Sequence, residues 1–258
     1  MRIEQCEVTE IPLRLEQVSY HINGQIVLEE INLEVRAREV FAVMGRSGMG
    51  KTTLLRLMMG LIHPTGGHVF VNGIDITTVP ETEMDHIRAN MGFVFQGAAL
   101  FDSMTVFENV ALGLVERLHL PPAEVAGRVQ HLLELVDIAP AAQLRPAELS
   151  GGMRKRVGIA RALALAPCIM LYDEPTAGLD PIYTTEINNL ILNLREQTGV
   201  TSVVVSHDVA SLRRVADRVA LLHAGKLQAV GTMEYLEHTN DPAVQQFILG
   251  NIEGPMTS

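Results

Sequence analysis

Gly45-Arg46-Ser47-Gly48-Met49-Gly50-Lys51-Thr52 satisfies the pattern G-x-x-x-x-G-K-[ST] at every fixed position. The run before it, Val40-Phe41-Ala42-Val43-Met44, is short, apolar and partly β-branched, as a buried strand should be. The run after it, Thr53-Leu54-Leu55-Arg56-Leu57-Met58-Met59, has helical composition and stops at Gly60. Strand, glycine-rich loop and helix therefore come in the order that a phosphate-binding loop requires. The glycines let backbone N–H groups converge on phosphate oxygens at the positive end of the helix. Lys51 is placed to reach the β- and γ-phosphates of a nucleotide, and the Thr52 hydroxyl to take one position on Mg²⁺.

Composition bounds what surrounds this loop. With 258 residues, 47% of them hydrophobic, the chain is long enough for one large domain or two lobes sharing a core. Only the last few residues read as a solvated tail. No apolar run approaches the roughly 20 residues of a membrane helix, and the longest candidate, from Ala162 to Tyr172, is broken by Pro167. Met1-Arg2-Ile3-Glu4-Gln5 lacks the apolar core of a signal peptide. The expectation is a cytosolic protein whose membrane role, if any, comes through a partner. Cys6 and Cys168 suggest no disulfide framework or metal site, and Cys168 reads as a buried thiol opening an apolar strand. A net charge of −10 weighs against general nucleic-acid binding.

Upstream of the loop, Leu13-Arg14-Leu15-Glu16-Gln17-Val18 alternates like a half-exposed strand, Asn23-Gly24 signals a turn, and the alternation resumes through Val35. This predicts a small antiparallel β piece. Tyr20 is its one aromatic able to stack on a nucleotide base, or else a rim tyrosine on a hairpin. Gly66 to Gly73 reads as a strand ending in a turn. Gly92-Phe93-Val94-Phe95 is a short buried strand that delivers Gln96 to its C-terminal end, where ligands sit in open α/β sheets.

From Gly97 to about Ala166 the β signal disappears. Val106–Val115, Ala123–Val136 and Gly152–Leu165 carry apolar residues at helical spacing, with breaks at Pro121-Pro122 and Pro140. This is a helical lobe inserted into an α/β core. Within it, Leu149-Ser150-Gly151-Gly152 opens a helix and forms a second candidate anion site, while Arg154-Lys155-Arg156 reads as a solvated helical face. The core returns with Ile169-Met170-Leu171-Tyr172, which ends in Asp173-Glu174-Pro175. Adjacent carboxylates at the end of an apolar strand are costly to leave unpaired; Mg²⁺ would stabilise the first, and an activated water would give the second a role. Ala177-Gly178-Leu179-Asp180 makes the next turn and Pro181 starts a helix. Val203-Val204-Val205 ends in Ser206-His207-Asp208, so His207 also falls at the C-terminal end of a core strand. Val219–Leu222 and Lys226–Val230 read as a closing hairpin.

Together these motifs resemble the nucleotide-binding subunit of ATP-binding cassette (ABC) transporters over essentially the whole chain. The matching parts are the phosphate loop, Gln96 for the Q-loop, Leu149 to Gly152 for the signature, Asp173-Glu174 for Walker B, Ala177 to Asp180 for the D-loop and His207 for the switch histidine. The resemblance implies an α/β fold, with a P-loop NTPase core of ABC type, an antiparallel β subdomain and an inserted helical subdomain. On this chain that means residues 1–96 and 167–240 for the core with its β piece, 97–166 for the helical part, and 241–258 as a C-terminal extension. It implies a head-to-tail homodimer with two ATP molecules between subunits. Gly45 to Thr53, Gln96, Asp173, Glu174 and His207 of one subunit would then face Ser150, Gly151, Gly152 and Asp180 of the other. Glu174 would polarise the attacking water, His207 would hold the γ-phosphate, Lys51 would offset its charge, and Thr52, Gln96 and Asp173 would serve Mg²⁺. The family's base-stacking aromatic would fall at Ile22, counted back from Leu28. Either Tyr20 substitutes for it or adenine is held by apolar contact.

Met153 in the signature helix, with the C-terminal run Asp241-Pro242-Ala243-Val244-Gln245-Gln246-Phe247, resembles the ATPases of Mla (maintenance of lipid asymmetry) phospholipid-transport systems. That resemblance implies two copies of an integral permease, an MCE-domain lipid-binding protein and, in some bacteria, a small STAS-domain subunit. It places the chain at the cytoplasmic face of a bacterial inner membrane. Two alternatives stay open: the motor of another uptake or export system, and a non-transport ABC ATPase. The acidic charge and the short interval from Gln96 to Ser150, with no room for a long coiled coil, disfavour the latter.

Overall fold

In the computed structural model, which describes residues 9–255, the chain runs through β1 (Leu13–Ile22), β2 (Gln25–Val35), β3 (Val40–Met44), α1 (Lys51–Met58), β4 (Gly66–Val71), β5 (Ile74–Asp75), α2 (Glu81–Arg88) and β6 (Met91–Val94). Helices α3 (Val106–Glu116), α4 (Pro122–Leu135) and α5 (Gly151–Leu163) follow. The sheet then resumes with β7 (Ile169–Asp173), α6 (Pro181–Thr198), β8 (Thr201–Ser206), α7 (Val209–Val215), β9 (Arg218–His223) and β10 (Lys226–Gly231), before α8 (Met233–His238) and α9 (Pro242–Leu249). The readings placed on residues 1–5 and on Cys6 lie outside the described residues.

Asn23 and Gly24 both take positive φ, as a two-residue hairpin turn demands, and join β1 to β2. These strands, with β4 and β5, form an antiparallel sheet in the order β2-β1-β4-β5. The second sheet has the order β10-β9-β3-β8-β7-β6; its strands are parallel except for the β9–β10 hairpin. Every residue of β3, β7 and β8 is buried, because both faces of this sheet are covered.

Period-two alternation assigns each strand residue to one of two cores. Val40, Ala42, Met44, Met170 and Tyr172 point into a core shared with the helical lobe and α6. Phe41, Val43, Ile169 and Leu171 point into the other, shared with α1 and the antiparallel sheet. The Tyr172 hydroxyl is wholly buried, which pushes its pKa up.

One sequence expectation is corrected. Cys168 is buried, but it is in a disulfide and is not a free thiol; a cysteine pairing depends on tertiary geometry that sequence spacing does not carry. The C-terminal extension begins as an ordered helix, α9. Asp241 caps α9 by accepting from Ala243 N–H (2.8 Å) and Val244 N–H (3.2 Å), and Gly250 closes it with a left-handed φ of 68°. No helix among the described residues is long and apolar enough to cross a membrane.

Candidate functional site

Strand register builds the site. Met44 lies beside Ser206, Asp173 beside Val205, and Val94 beside Tyr172, so the parallel strands end along one edge. The residues that follow them, Gly45, Glu174, His207 and Gln96, are thereby delivered to the same place. Between them lies a cavity of about 330 Å³, within the usual range for small-molecule sites. It is lined by Ser47, Gly48, Gly50, Lys51, Thr52, Thr53, Gln96, Glu174 and His207, with Val27 as its apolar wall.

The loop needs its glycines for physical reasons. A Cβ on Gly45 would sit 2.5 Å from the Leu222 carbonyl oxygen. Gly50 ends the loop at φ 93°, and a Cβ there would crowd the Val27 carbonyl at 3.1 Å. The chain then turns directly into α1, whose first residue is Lys51. Lys51 is 6% exposed and donates from Nζ to the carbonyls of Gly45 (2.7 Å) and Arg46 (3.1 Å), with the Glu174 carboxylate 3.3 Å away. Arg46 is exposed and Met49 is half-buried.

Glu174 is the centre of the arrangement. It has a left-handed φ of 47°, a conformation that costs a non-glycine residue on the order of 1 kcal/mol and concentrates at functional sites. Neighbouring backbone holds it there: its N–H donates to Val205 O (3.0 Å), and its carbonyl accepts from Ala177 N–H (3.1 Å) and Lys155 Nζ (3.1 Å). One carboxylate oxygen faces Lys51. The other accepts from Ser206 Oγ (3.1 Å) and lies 3.0 Å from His207 Nδ1, a pairing that puts the proton on Nδ1. Asp208 fixes the start of α7 behind His207 by accepting from Ala210 and Ser211 N–H.

Asp173 accepts from Thr52 Oγ1 at 3.0 Å. Burial holds its carboxyl above the usual aspartate range, opposed by that hydrogen bond. Thr52 and Gln96 line the cavity and Asp173 stands directly behind Thr52; carboxylate, hydroxyl and amide oxygens are hard donors that suit Mg²⁺. No group of three or more His, Cys, Asp or Glu side chains suited to a metal occurs among the described residues.

Ser150, Gly151, Gly152 and Asp180 do not line this cavity. Ser150 and Asp180 are exposed helix caps: Ser150 Oγ accepts from Met153 N–H (3.2 Å), and Asp180 from Ile182 and Tyr183 N–H. Gly152 packs so tightly that a Cβ would lie 3.0 Å from the Tyr183 ring. Tyr20 is half-buried against the core beneath the antiparallel sheet and does not line this cavity. Ile22 is 49% exposed.

The run Arg154-Lys155-Arg156 is not one solvated face. Successive helical residues point about 100° apart, so only Arg154 is exposed; Lys155 is buried, and Arg156 donates to Val136 O (2.7 Å) and Glu186 (2.9 Å). Sequence reasoning also passed over Ser206 and Val27. Ser206, polar at the end of an apolar strand, carried a legible signal; Val27 carried none.

Residues 28–177 match the family described as ABC transporter. The "Intermembrane phospholipid transport system ATP-binding protein MlaF" of Haemophilus influenzae is 38% identical over 95% of this chain and 92% of its own length. The protein of the same name from Escherichia coli K12 is 40% identical over 94% and 90%. The ATP-binding cassette MJ0796, solved as a dimer in a post-hydrolysis state with ADP and Pi, superposes with a TM-score of 0.78 at 34% identity, covering 86% of this chain and 98% of that one. A cavity built from a phosphate loop and strand-end carboxylate, histidine and glutamine, on a cassette fold matched nearly end to end, leaves one assignment: the chain belongs to the ABC transporter family, as an ATP-binding, ATP-hydrolysing cassette.

Proposed function

We propose that this cassette powers the movement of phospholipid between the inner and outer membranes of a bacterium, as one of two identical subunits beneath a dimeric integral permease. The near end-to-end likeness to two intermembrane phospholipid transport ATPases carries the reading. An MCE-domain lipid-binding protein, and in some bacteria a STAS-domain subunit, complete the assembly. The chain is then held peripherally at the cytoplasmic face of the inner membrane.

In the catalytic reading, Lys51 exchanges its loop carbonyls and Glu174 for the β- and γ-phosphates. Glu174, released from Lys51 but still oriented by Ser206, accepts the proton of the attacking water. His207 moves from Glu174 to the γ-phosphate. Thr52, Asp173 and Gln96 would hold Mg²⁺, which would supply neutralisation of the charge building on the phosphates. Ser150, Gly151, Gly152 and Asp180 lie away from their own cavity, and this supports their serving the nucleotide of the opposite subunit.

Glu174→Gln keeps the shape of the site and loses the base. It should bind ATP and dimerise while hydrolysis falls about 10²–10⁴-fold. Tagged Glu174→Gln protein, captured from gently solubilised native membranes, should bring down a permease, an MCE-domain protein and phospholipid by mass spectrometry. A permease without an MCE protein would remove the lipid reading and keep the ATPase; wild-type turnover in the variant would remove Glu174 as base.

A further inference from the structure

Lys155 lies 6% exposed on the inner face of α5, in the helical layer, and its ammonium has two backbone acceptors. One is the carbonyl of Gln96, just past the end of β6; the other is the carbonyl of Glu174, at the end of β7. These strands are neighbours, and each acceptor belongs to a residue that lines the cavity. The same helix face continues the grip. Gly158 packs directly on Ala98, and Arg161 donates to the carbonyls of Ala98 and Ala99, both at 2.7 Å. Ala98 and Ala99 take positive φ of 60° and 48°, and Glu174 takes 47°. Three non-glycine residues in an unfavourable backbone region are thus fastened by cations spaced along one helix.

A buried ammonium is expensive to desolvate, and carbonyl acceptors only partly offset that cost. Leucine or methionine would fill the space between α5 and the sheet without it. The arrangement therefore has a use beyond packing. We infer that Lys155 is a positioning residue for hydrolysis: by donating to Gln96 and Glu174 together, it fixes the backbone beneath both side chains and ties them to the helical layer. The inference rests on the reading of Glu174 and Gln96 as catalytic. Movement of α5 relative to the sheet would then reach the attacking water and the Mg²⁺ ligand at once, without passing through the phosphate loop.

The test separates positioning from binding and from folding. Lys155→Met should lower kcat about 10–100-fold, the scale of a misplacement of about 1 Å, while KM for ATP stays within about twofold. Lys155→Gln, whose amide donates two hydrogen bonds, should recover most of kcat. In nucleotide-free protein, the Ala98 amide, which donates to Phe95 O, should exchange faster in the Met variant, with β3 and β8 protection unchanged. Lys155→Ala, where water enters the vacated space, serves if the Met variant is insoluble. Wild-type kcat in the Met or Ala variant overturns the inference. So does a joint fall of kcat, affinity and core protection that Gln does not rescue. Absence of ATP turnover in the wild type would instead overturn the reading of the site; unchanged exchange at Ala98 would then remove Lys155 as well.

Discussion

Lys51 and Lys155 are buried to the same extent, each 6% exposed, and both direct their ammonium groups at backbone carbonyls. They differ in their third partner. Lys51 has the Glu174 carboxylate at 3.3 Å, a side chain that can turn away. Lys155 meets Glu174 only through its main chain and senses the two strand-end carboxylates at a distance; burial holds its pKa below the ordinary lysine range. An ammonium paired to a mobile carboxylate can trade that partner for phosphate. One engaged only by fixed backbone cannot move unless the backbone moves. Two lysines with the same burial thus do opposite work: Lys51 is poised to change partners, and Lys155 keeps its partners in place.

Lys51→Met gives the largest contrast. On the proposed reading it removes the cation that meets the phosphates, and it leaves the Glu174 side chain, 9% exposed, with Ser206 and His207. ATP affinity should fall on the order of 10²-fold, about 2.7 kcal/mol, and hydrolysis should be lost with it. Titration of nucleotide by fluorescence, run beside Lys155→Met, checks this. An equal loss of affinity in both variants would break the distinction between the two lysines.

The difference between them also marks what the sequence could reveal. Lys51 is legible because its role depends on neighbours in the chain: strand, glycines and helix are adjacent, so spacing carries the chemistry. The strand ends bearing Asp173-Glu174 and His207 were legible for the same reason, since an apolar run stopping at a polar pair needs no tertiary information. Lys155 depends on Gln96, 59 residues earlier, and on Glu174, 19 later. Its neighbours Arg154 and Arg156 disguised it as surface charge. Val27 and Tyr20 show the same limit. Which β1–β2 side chain faces the phosphate loop is decided by register shifts between Leu15 and His21 that alternation alone does not announce. The α/β class, with its antiparallel piece and its helical run, was legible; contacts made across the layers were not.

Asp173→Asn probes the charge that Lys155 senses and that Lys51 offsets. Burial raises the Asp173 pKa, so in a window above the unfolded value the folded protein holds more protons than the unfolded chain. Stability contributed by this group therefore falls as pH rises through that window, and its cost is fully present once the pH is above the folded pKa. The nucleotide-free Asn variant should melt about 2–4 °C above wild type at pH 7, with the gap closing toward pH 4. It should also lose the Mg²⁺-dependent part of its ATP affinity. A lower melting temperature at pH 7 would mean that the Asp173 carboxylate is stabilised by Thr52, Arg56 and Lys51 more than burial penalises it.

Arg156→Ala makes the smallest change and asks whether the effect assigned to Lys155 belongs to that side chain or to the whole run. Arg156 stands next to Lys155 on α5 but points away from the cavity, toward the end of α4 and toward α6. Its side chain is 14% exposed, and its loss removes donors from the Val136 carbonyl and the Glu186 carboxylate. That should cost about 1–2 kcal/mol of stability, visible as a lower unfolding midpoint. It should leave kcat and KM within about twofold of wild type, because no contact to Gln96 or Glu174 is touched. A drop in kcat as large as that of Lys155→Met would show that hydrolysis responds to any loosening of α5, and the carbonyl link would lose its special place. An unchanged kcat beside a lowered midpoint would confine coupling to the one residue in the run that reaches both strand ends.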